Sequence, residues 1–390
     1  MGISRVSVKG YSLHVKPSPH ISGLCYSIFR LEPYTGCEYG CTYCYARWYG
    51  RESGVRAVPR IVGAFRRVAL KVKNLGLTPY PFRLSTLVEP LQEAERRYKV
   101  SYRILATALS HKYPVILNTK SKLIVEEPWF QVLRELARKK LVVVQVSVSS
   151  LNPRIRLVEP RAPKPASLLE AASRVAHAGI PVVIRYQPLI PGLSDLESEV
   201  EEAALSFREV GASHVIVEYL RVEAENMKLF EKVALEDEPY RLRWERYGRG
   251  ERAPVRPPAA YRAEKLAMMR DVFRSVGLGF ATCKEGYPQL DTVPDCCGFY
   301  LLAEAAIRPS LRELIRLFDE IPLKGVEDLI EGLEGYLAGS RIDPYPRVLR
   351  KPLKWHERVL ISLLKRGDVT LVVPSAITGE GVVRFGWAGR

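Results

Sequence analysis

Three cysteines, Cys37, Cys41 and Cys44, stand at the spacing C-x3-C-x2-C within the stretch GCEYGCTYCYAR, residues 36–47. Gly36 and Gly40 lie among them, so the backbone can turn tightly enough to aim three thiols at one point. Thiolates select soft metals: zinc, copper(I) or iron–sulfur clusters. A closed structural site takes four protein ligands, and no fourth Cys or His follows closely behind Cys44. Three thiolates on a four-iron cluster leave one iron open to a ligand that is not protein. The competing readings are a zinc knuckle completed by a distant Cys or His, and three buried free thiols.

A second group, Cys283, Cys296 and Cys297, falls within CKEGYPQLDTVPDCC. It reads as a second metal site, either an auxiliary iron–sulfur cluster or zinc with one further ligand, or as free thiols of which one donates a hydrogen atom. Cys25 is expected in the core, with a remote ligand as the alternative. Seven cysteines in 390 residues, three of them tightly clustered, suit metal ligation in a reducing compartment better than a disulfide framework.

Ordered elements must bring these loops to a common face. Residues 25–31, CYSIFRL, read as a short strand that delivers the chain to the first cysteine loop. A helix opens at Pro59, with Ile61, Phe65, Val68, Val72 and Leu75 at helical spacing and Arg66, Arg67, Lys71 and Lys73 on its other face; it stops at Gly76, before Pro79. Further strands are expected at 82–88, 115–118, 141–149, 180–187 and 214–220, and helices at 102–111, 128–139, 166–178 and 196–210. Apolar strands alternating with helices imply a parallel sheet covered by helices. The expected fold is α/β, a partial (β/α)6 TIM-like barrel with a C-terminal α+β extension. Chemistry in such barrels sits at the C-terminal strand ends, which is where the first cysteine loop falls.

Residues 222–258 interrupt the alternation, with Arg241, Arg243, Arg246, Arg249, Arg252 and Arg256 set among Tyr240, Trp244 and Tyr247. This insertion reads as a lid or substrate arm, as a surface for stacking nucleic-acid bases, or as a solvated loop. A helix at 259–274 and a further strand at 277–282 lead into the second cysteine loop, 283–297. The expected organisation is a lead-in at 1–24, the barrel at 25–298 and the extension at 299–390. In the extension, helices are expected around Leu311, Leu314, Ile315 and Phe318, around Leu329, Leu333 and Leu337, and over 355–365, followed by a hairpin of 369–373 and 381–385. The extension is either a reduced winged-helix module or an appendage that closes the open barrel.

The net charge of +16 favours polyanionic partners, nucleic acid above all, against a merely solubilising surface. Asn occurs only at 74, 118, 152 and 226, a depletion that fits growth at high temperature. The apolar runs are too short to cross a bilayer and MGISRVSVKG lacks the apolar core of a signal peptide, so no membrane partner and a cytoplasmic location are expected.

The stretches EPYTGCEYGCTYCYAR, STLVEPLQEAE, NTKS, VSVSSLNPRIRLVEPRAPKP and AGIPVVIRYQPLIPGLSD together resemble the DNA repair photolyase-like radical S-adenosylmethionine (SAM) proteins related to spore photoproduct lyase, over residues 25–221. The resemblance implies that Cys37, Cys41 and Cys44 hold a [4Fe–4S] cluster whose open iron chelates SAM. An electron from an external donor of the reduced ferredoxin or flavodoxin type then yields a 5′-deoxyadenosyl radical. Tyr43 is similar to the family's aromatic against adenine, Ser85 and Thr86 to its contact with the methionine amine, and Lys120 and Arg185 to its carboxylate-binding cations. Ser147 and Ser149 match its ribose contacts, and Ile190 and Gly192 its adenine cradle. Lysine and arginine suit a carboxylate, small hydroxyls suit a ribose, and strand alternation sets Ser147 and Ser149 on one face. Structural pairing of Arg185 with Glu159 or Glu218 is the alternative. Where spore photoproduct lyase carries a hydrogen-donating cysteine, this chain has Ser85, whose O–H bond is too strong for that role. Cys283, Cys296 and Cys297 are the remaining candidate donors. Three functions follow: a radical SAM enzyme acting on nucleic acid, one acting on a peptide or small metabolite, and a zinc-stabilised nucleic-acid-binding protein without catalysis.

Overall fold

The computed structural model describes residues 7–8, 11–49, 54–248, 253–313 and 341–365. Its centre is a seven-stranded, all-parallel sheet whose strands follow one another in chain order. The strands are β1 (Arg30–Leu31), β2 (Phe82–Leu84), β3 (Val115–Thr119), β4 (Val142–Ser147), β5 (Val182–Leu189), β6 (His214–Tyr219) and β7 (Gly279–Thr282). β1 and β7 are the free edges, so the barrel is open. The sixfold repeat expected from sequence thus gains β7, which had the weaker signal of a short strand beyond the insertion.

Helices cover the outside because their apolar stripes match the strand faces. The principal ones are α1 (Pro19–Leu24), α2 (Arg60–Asn74), α3 (Val100–His111), α4 (Trp129–Arg138), α5 (Pro165–His177), α6 (Glu197–Glu209), α7 (Ala259–Ser275) and α8 (Arg347–Lys365). α2 buries Ile61, Ala64, Phe65, Val68, Ala69 and Val72 and leaves Arg66, Arg67, Lys71 and Lys73 exposed, as its periodicity predicts. The inside of the sheet holds a separate cluster in which Ile116, Val143, Val183, Ile216 and Ala281 meet Cys283, Cys296, Cys297, Phe299 and Leu302. The second cysteine loop therefore plugs the barrel rather than lying over its rim.

Several expected boundaries move. The lead-in contains α1, whose N-terminus is capped by Ser18, and residues 25–29 precede β1 instead of belonging to it. Residues 85–88 leave the second strand early because a buried carboxylate, Glu32, gathers their donors. The described part of the insertion is folded. Met227–Val233 is a helix, Glu245–Arg246 pairs antiparallel with Val255–Arg256, and Phe230, Val233 and Val222 pack on Ile155, Val158, Ile190, Leu193 and Leu220. Its aromatics are used in packing: Tyr240 stacks on Trp244 at 5.5 Å, and the Arg221 guanidinium lies 3.8 Å from the Tyr247 ring centroid. Arg256 is buried, whereas Arg241, Arg243 and Arg246 face solvent; Arg249 and Arg252 lie outside the described residues.

Of the extension, α8 returns to the N-terminal segment. His356 takes Ser22 Oγ at 3.0 Å and the Val15 carbonyl at 3.0 Å on its two ring nitrogens, and Leu349 and Leu353 join the main core. Within the described residues, α8 packs on α1 and the core. The helices expected at Leu314, Ile315 and Phe318 and at Leu329, Leu333 and Leu337, and the hairpin of 369–373 and 381–385, lie outside the described residues. No helix among the described residues is long and apolar enough to cross a membrane.

Candidate functional site

A cavity of about 230 Å³ opens at the C-terminal ends of the strands. Cys37, Cys41 and Cys44 all line it, together with side chains from β2 through β6 and with Lys284 just beyond β7. The loop can bring its sulfurs to one wall because Gly40 sits at φ 63, and a Cβ there would come within 2.5 Å of Arg161 Nη2. Burial pushes the Cys37 thiol up, while the backbone amides of Tyr39 and Glu89 pull it back; burial pushes Cys41 up to about 12 against the pull of Lys120. Among the described residues, no three His, Cys, Asp or Glu side chains converge tightly enough to share one ion. Three half-exposed thiols on one cavity wall are a donor set that fits three corners of an iron–sulfur cluster.

Two buried carboxylates frame the loop ends, and neither was singled out as a site residue from sequence. Glu32, at the end of β1, accepts hydrogen bonds from the Ser85 hydroxyl, the Thr86 hydroxyl at 2.6 Å, and the amides of Thr86 and Leu87 at 2.8 and 3.2 Å. Ser85 and Thr86 are therefore at the cavity wall as expected, but their hydroxyls already donate to Glu32. Glu89 accepts from Thr119 Oγ1 and Lys120 N, each at 2.6 Å, and burial raises its carboxyl to about 7. The signal in both cases is an acid at the end of an apolar strand or in the loop directly beyond one. That placement alone does not say which donors it will gather.

The two expected carboxylate-binding cations differ. Lys120 Nζ bonds Glu159, Tyr43 Oη at 2.9 Å and Ser149 Oγ at 2.9 Å, a buried network in which its charge is already paired. Arg185 is held by neutral groups, Gln145 Oε1 at 2.9 Å and Gln187 Oε1, and faces the cavity. The structural pairing anticipated for Arg185 with Glu159 or Glu218 thus falls elsewhere: Glu159 pairs with Lys120, and Glu218 with Arg221 and Lys284. Ser147 lines the cavity, but Ser149 does not. β4 ends at Ser147, so alternation no longer sets the direction of Ser149, which turns into the Tyr43 network and donates to the Gln187 carbonyl at 2.9 Å. Tyr43 lines the cavity. Ile190 and Gly192 are buried and do not line the cavity, and a Cβ on Gly192 would meet the Glu236 carbonyl at 2.0 Å, so only glycine allows the insertion's close approach there.

The far wall was not anticipated from sequence. Arg83, Arg221 and Lys284 face the cavity with Glu218, whose carboxyl burial alone would raise but Arg221 and Lys284 hold down at about 2. Asn118 Oδ1 and Gln187 Nε2, both on cavity-lining residues, are buried without hydrogen-bond partners. An unfilled acceptor and donor beside an unpaired arginine suit a zwitterionic ligand.

The family model of the radical SAM superfamily matches residues 31–205. Residues 31–205 form a radical SAM domain. The match runs from β1 into α6 and includes all three cysteines of the first loop, and a radical SAM domain over those residues indicates an enzyme. That domain implies SAM and a [4Fe–4S] cluster, which the donor set described above fits. Curated relatives carry no assigned activity. An uncharacterized protein of Acidianus two-tailed virus is 25% identical over 52% of this chain and 72% of its own length. An uncharacterized protein of Mycobacterium bovis is 25% identical over 48% of this chain, and the match spans 57% of that relative. Among solved structures, spore photoproduct lyase complexed with dinucleoside spore photoproduct superposes with a TM-score of 0.53 at 15% identity, covering 72% of this chain and 80% of that one. A cysteine-to-serine mutant of the same lyase gives 0.52 at 14% identity, over 66% and 76%. These likenesses show a shared fold, and the open parallel barrel of the radical SAM domain is that fold. A zinc-stabilised protein without catalysis is set aside by the family match.

Proposed function

We propose that this radical SAM enzyme acts on a nucleic acid, by repair or modification. Cys37, Cys41 and Cys44 would hold a [4Fe–4S] cluster, which with bound SAM supplies a 5′-deoxyadenosyl radical. Arg185 binds the SAM carboxylate, because its charge is not already matched by a bonded acid. Lys120 positions Tyr43 through the Glu159 network instead of binding ligand alone. Asn118 Oδ1 accepts from the SAM amine, Ser147 meets the ribose, and Tyr43 lies against the adenine. Ser85 and Thr86 act through Glu32 to hold the loop after β2.

The observation that carries the substrate class is the cationic far wall. Arg83, Arg221 and Lys284 outnumber Glu218 there, and that excess suits a phosphodiester. The net charge of +16 and the exposed basic face of α2 agree. Because Ser85 cannot return a hydrogen atom, the product is not formed by the spore photoproduct lyase route through a cysteine at that position. The buried Cys283, Cys296 and Cys297 are not part of the cavity wall.

Anaerobic, cluster-loaded protein reduced with dithionite tests the substrate class. Duplex DNA or structured RNA should accelerate 5′-deoxyadenosine formation and bind with steep salt dependence. A peptide or small metabolite that accelerates it while nucleic acids do not would establish the alternative substrate class.

A further inference from the structure

The positive charge is not spread evenly over the helices that cover the sheet. α2, RIVGAFRRVALKVKN, carries Arg60, Arg66, Arg67, Lys71 and Lys73 and no acid, and all five cations are exposed. α3 packs beside it and also lacks an acid; it exposes Arg103, and Lys112 follows its last residue in solvent. α6, between β5 and β6, instead holds Glu197, Glu199, Glu201, Glu202 and Glu209 against one arginine. A charge that served solubility alone would intersperse the two signs. Surface cations on other helices sit against carboxylates: Arg96 with Glu93 at 3.0 Å, Arg134 with Glu127 at 3.1 Å and Arg241 with Asp237 at 2.9 Å. Among the described residues, none of the five on α2 forms an ion pair.

Their placement works against the helix. Arg60 stands in the first turn, where the helix dipole favours an acid, and Arg67 and Lys71 are like charges one turn apart. Local rules broken with no return inside the fold point to an anion outside it. Helical periodicity sorts the cations. Ile61, Ala64, Phe65, Val68, Ala69 and Val72 face the core. On the far side Arg60, Arg67 and Lys71 form one row and Arg66 and Lys73 another, with Gly63, Leu70 and Asn74 on the crest between them. Gly63 leaves that crest bare: the nearest atom to where its Cβ would sit is Arg67 Nη1, at 3.6 Å. From Arg60 to Lys73 the helix rises about 20 Å, a length over which one strand of a duplex presents about six phosphates. The upper end of α2 is tied to the site. The Val58 N–H donates to the Pro33 carbonyl at 2.8 Å and the Thr35 N–H to the Arg56 carbonyl at 3.0 Å, so α2 sets off beside the segment that enters the first cysteine loop.

We propose that the outer face of α2, with Arg103 and Lys112 beside it, is a phosphate-backbone track that holds the duplex flank of a nucleic-acid substrate whose reacting nucleotide enters the cavity. The inference rests on the nucleic-acid reading of the cavity and adds a second contact surface outside it. The match is one of charge: two rows of cations without acids meet a strand of phosphates. Phosphate contacts fix register and orientation and carry no sequence information. The track therefore places the substrate along the barrel, and the choice of nucleotide is left to the cavity. Duplex DNA and duplex RNA both offer this backbone.

Full-length, cluster-loaded protein titrated without oxygen into labelled duplex DNA and duplex RNA of one sequence, over a series of salt concentrations, tests this. Arg66→Gln/Arg67→Gln/Lys71→Gln/Lys73→Gln should keep the wild-type circular dichroism, because glutamine is about as helix-prone as lysine and arginine. It should weaken binding about tenfold or more near physiological salt, with a log–log salt slope shallower by about 2–4. Arg134→Gln/Arg138→Gln/Lys139→Gln/Arg174→Gln removes the same net charge elsewhere and should move the slope by less than about 1. The duplex that suffers the larger loss identifies the backbone that the track holds. An α2 variant that matches a tightly binding wild type in affinity and slope would overturn the track and leave the nucleic-acid reading standing. Equal losses in the two variants would also overturn it, in favour of net charge alone. A wild type that binds neither duplex would instead overturn the reading beneath it.

Discussion

Lys120 and Arg185 bring the same charge to one cavity but differ in what holds them. Lys120 is bonded to Glu159, Tyr43 and Ser149, and replacing it with Met leaves a buried carboxylate unpaired. Removing one partner of such a pair costs about 3–5 kcal/mol, so Lys120→Met should lower the denaturation midpoint as well as SAM binding. Arg185→Leu strands only the side-chain oxygens of Gln145 and Gln187. It should leave the midpoint nearly unchanged and weaken SAM about tenfold or more, the worth of a lost charged hydrogen bond, as read by anaerobic equilibrium dialysis. Equal loss of stability in both variants would contradict this division. The cysteines, Tyr43, Ser147 and Arg185 were legible in the sequence because motif spacing and strand ends fix where they point. Glu32, Glu89, Arg83 and Lys284 were not. Their roles depend on which loops the strands bring opposite each other, and no local pattern encodes that.

The folded insertion is clamped to the cysteine loop by one acid. Glu223 accepts from Arg47 Nε at 2.9 Å and also bonds Arg47 Nη2 and Trp48 Nε1. Burial alone would raise its carboxyl, but the hydrogen bonds from Arg47 and Trp48 hold it at about 2, below the ordinary 4.5. A carboxyl depressed in the folded state stabilises it at pH above 4.5, and that contribution is lost as pH falls from 4.5 to about 2. Glu223→Gln should therefore flatten the acid limb of stability in that window and increase proteolytic cleavage within 222–258 at neutral pH. An unchanged acid limb would show that the clamp does not hold the insertion. A second tie, Arg262 Nη1 to Glu285 Oε2 at 2.6 Å, joins α7 to the loop after β7, where Glu285 also accepts from the Tyr219 amide at 2.9 Å. Arg262→Met should cost about 3–5 kcal/mol in urea unfolding, and a loss under 1 kcal/mol would contradict a buried pair of that weight. The alternation of strands and helices was legible because period-2 and period-3.6 patterns are local. The fate of the insertion was not: Tyr240, Trp244 and Tyr247 read equally as a stacking surface until Arg221, Ile190 and Leu193 arrive from distant sequence to cover them.

At the scale of the whole molecule, an open barrel holds three thiols at its rim and Cys283, Cys296 and Cys297 in its interior, in a chain of net charge +16. If that charge serves nucleic acid, binding should weaken with salt at a slope of about −0.9 per phosphate neutralised on duplex DNA. A slope near zero would assign the charge to solubility and return the substrate question to peptides or metabolites. The central claim is that the rim cysteines and Arg185 serve radical SAM chemistry, and product analysis of SAM tests it most directly. Protein loaded with iron and sulfide without oxygen and reduced with dithionite should release 5′-deoxyadenosine from SAM, and the Cys37→Ala/Cys41→Ala/Cys44→Ala variant should release none. Wild-type protein that carries its iron and sulfide yet leaves SAM intact, or a variant that cleaves it as fast, would contradict the account.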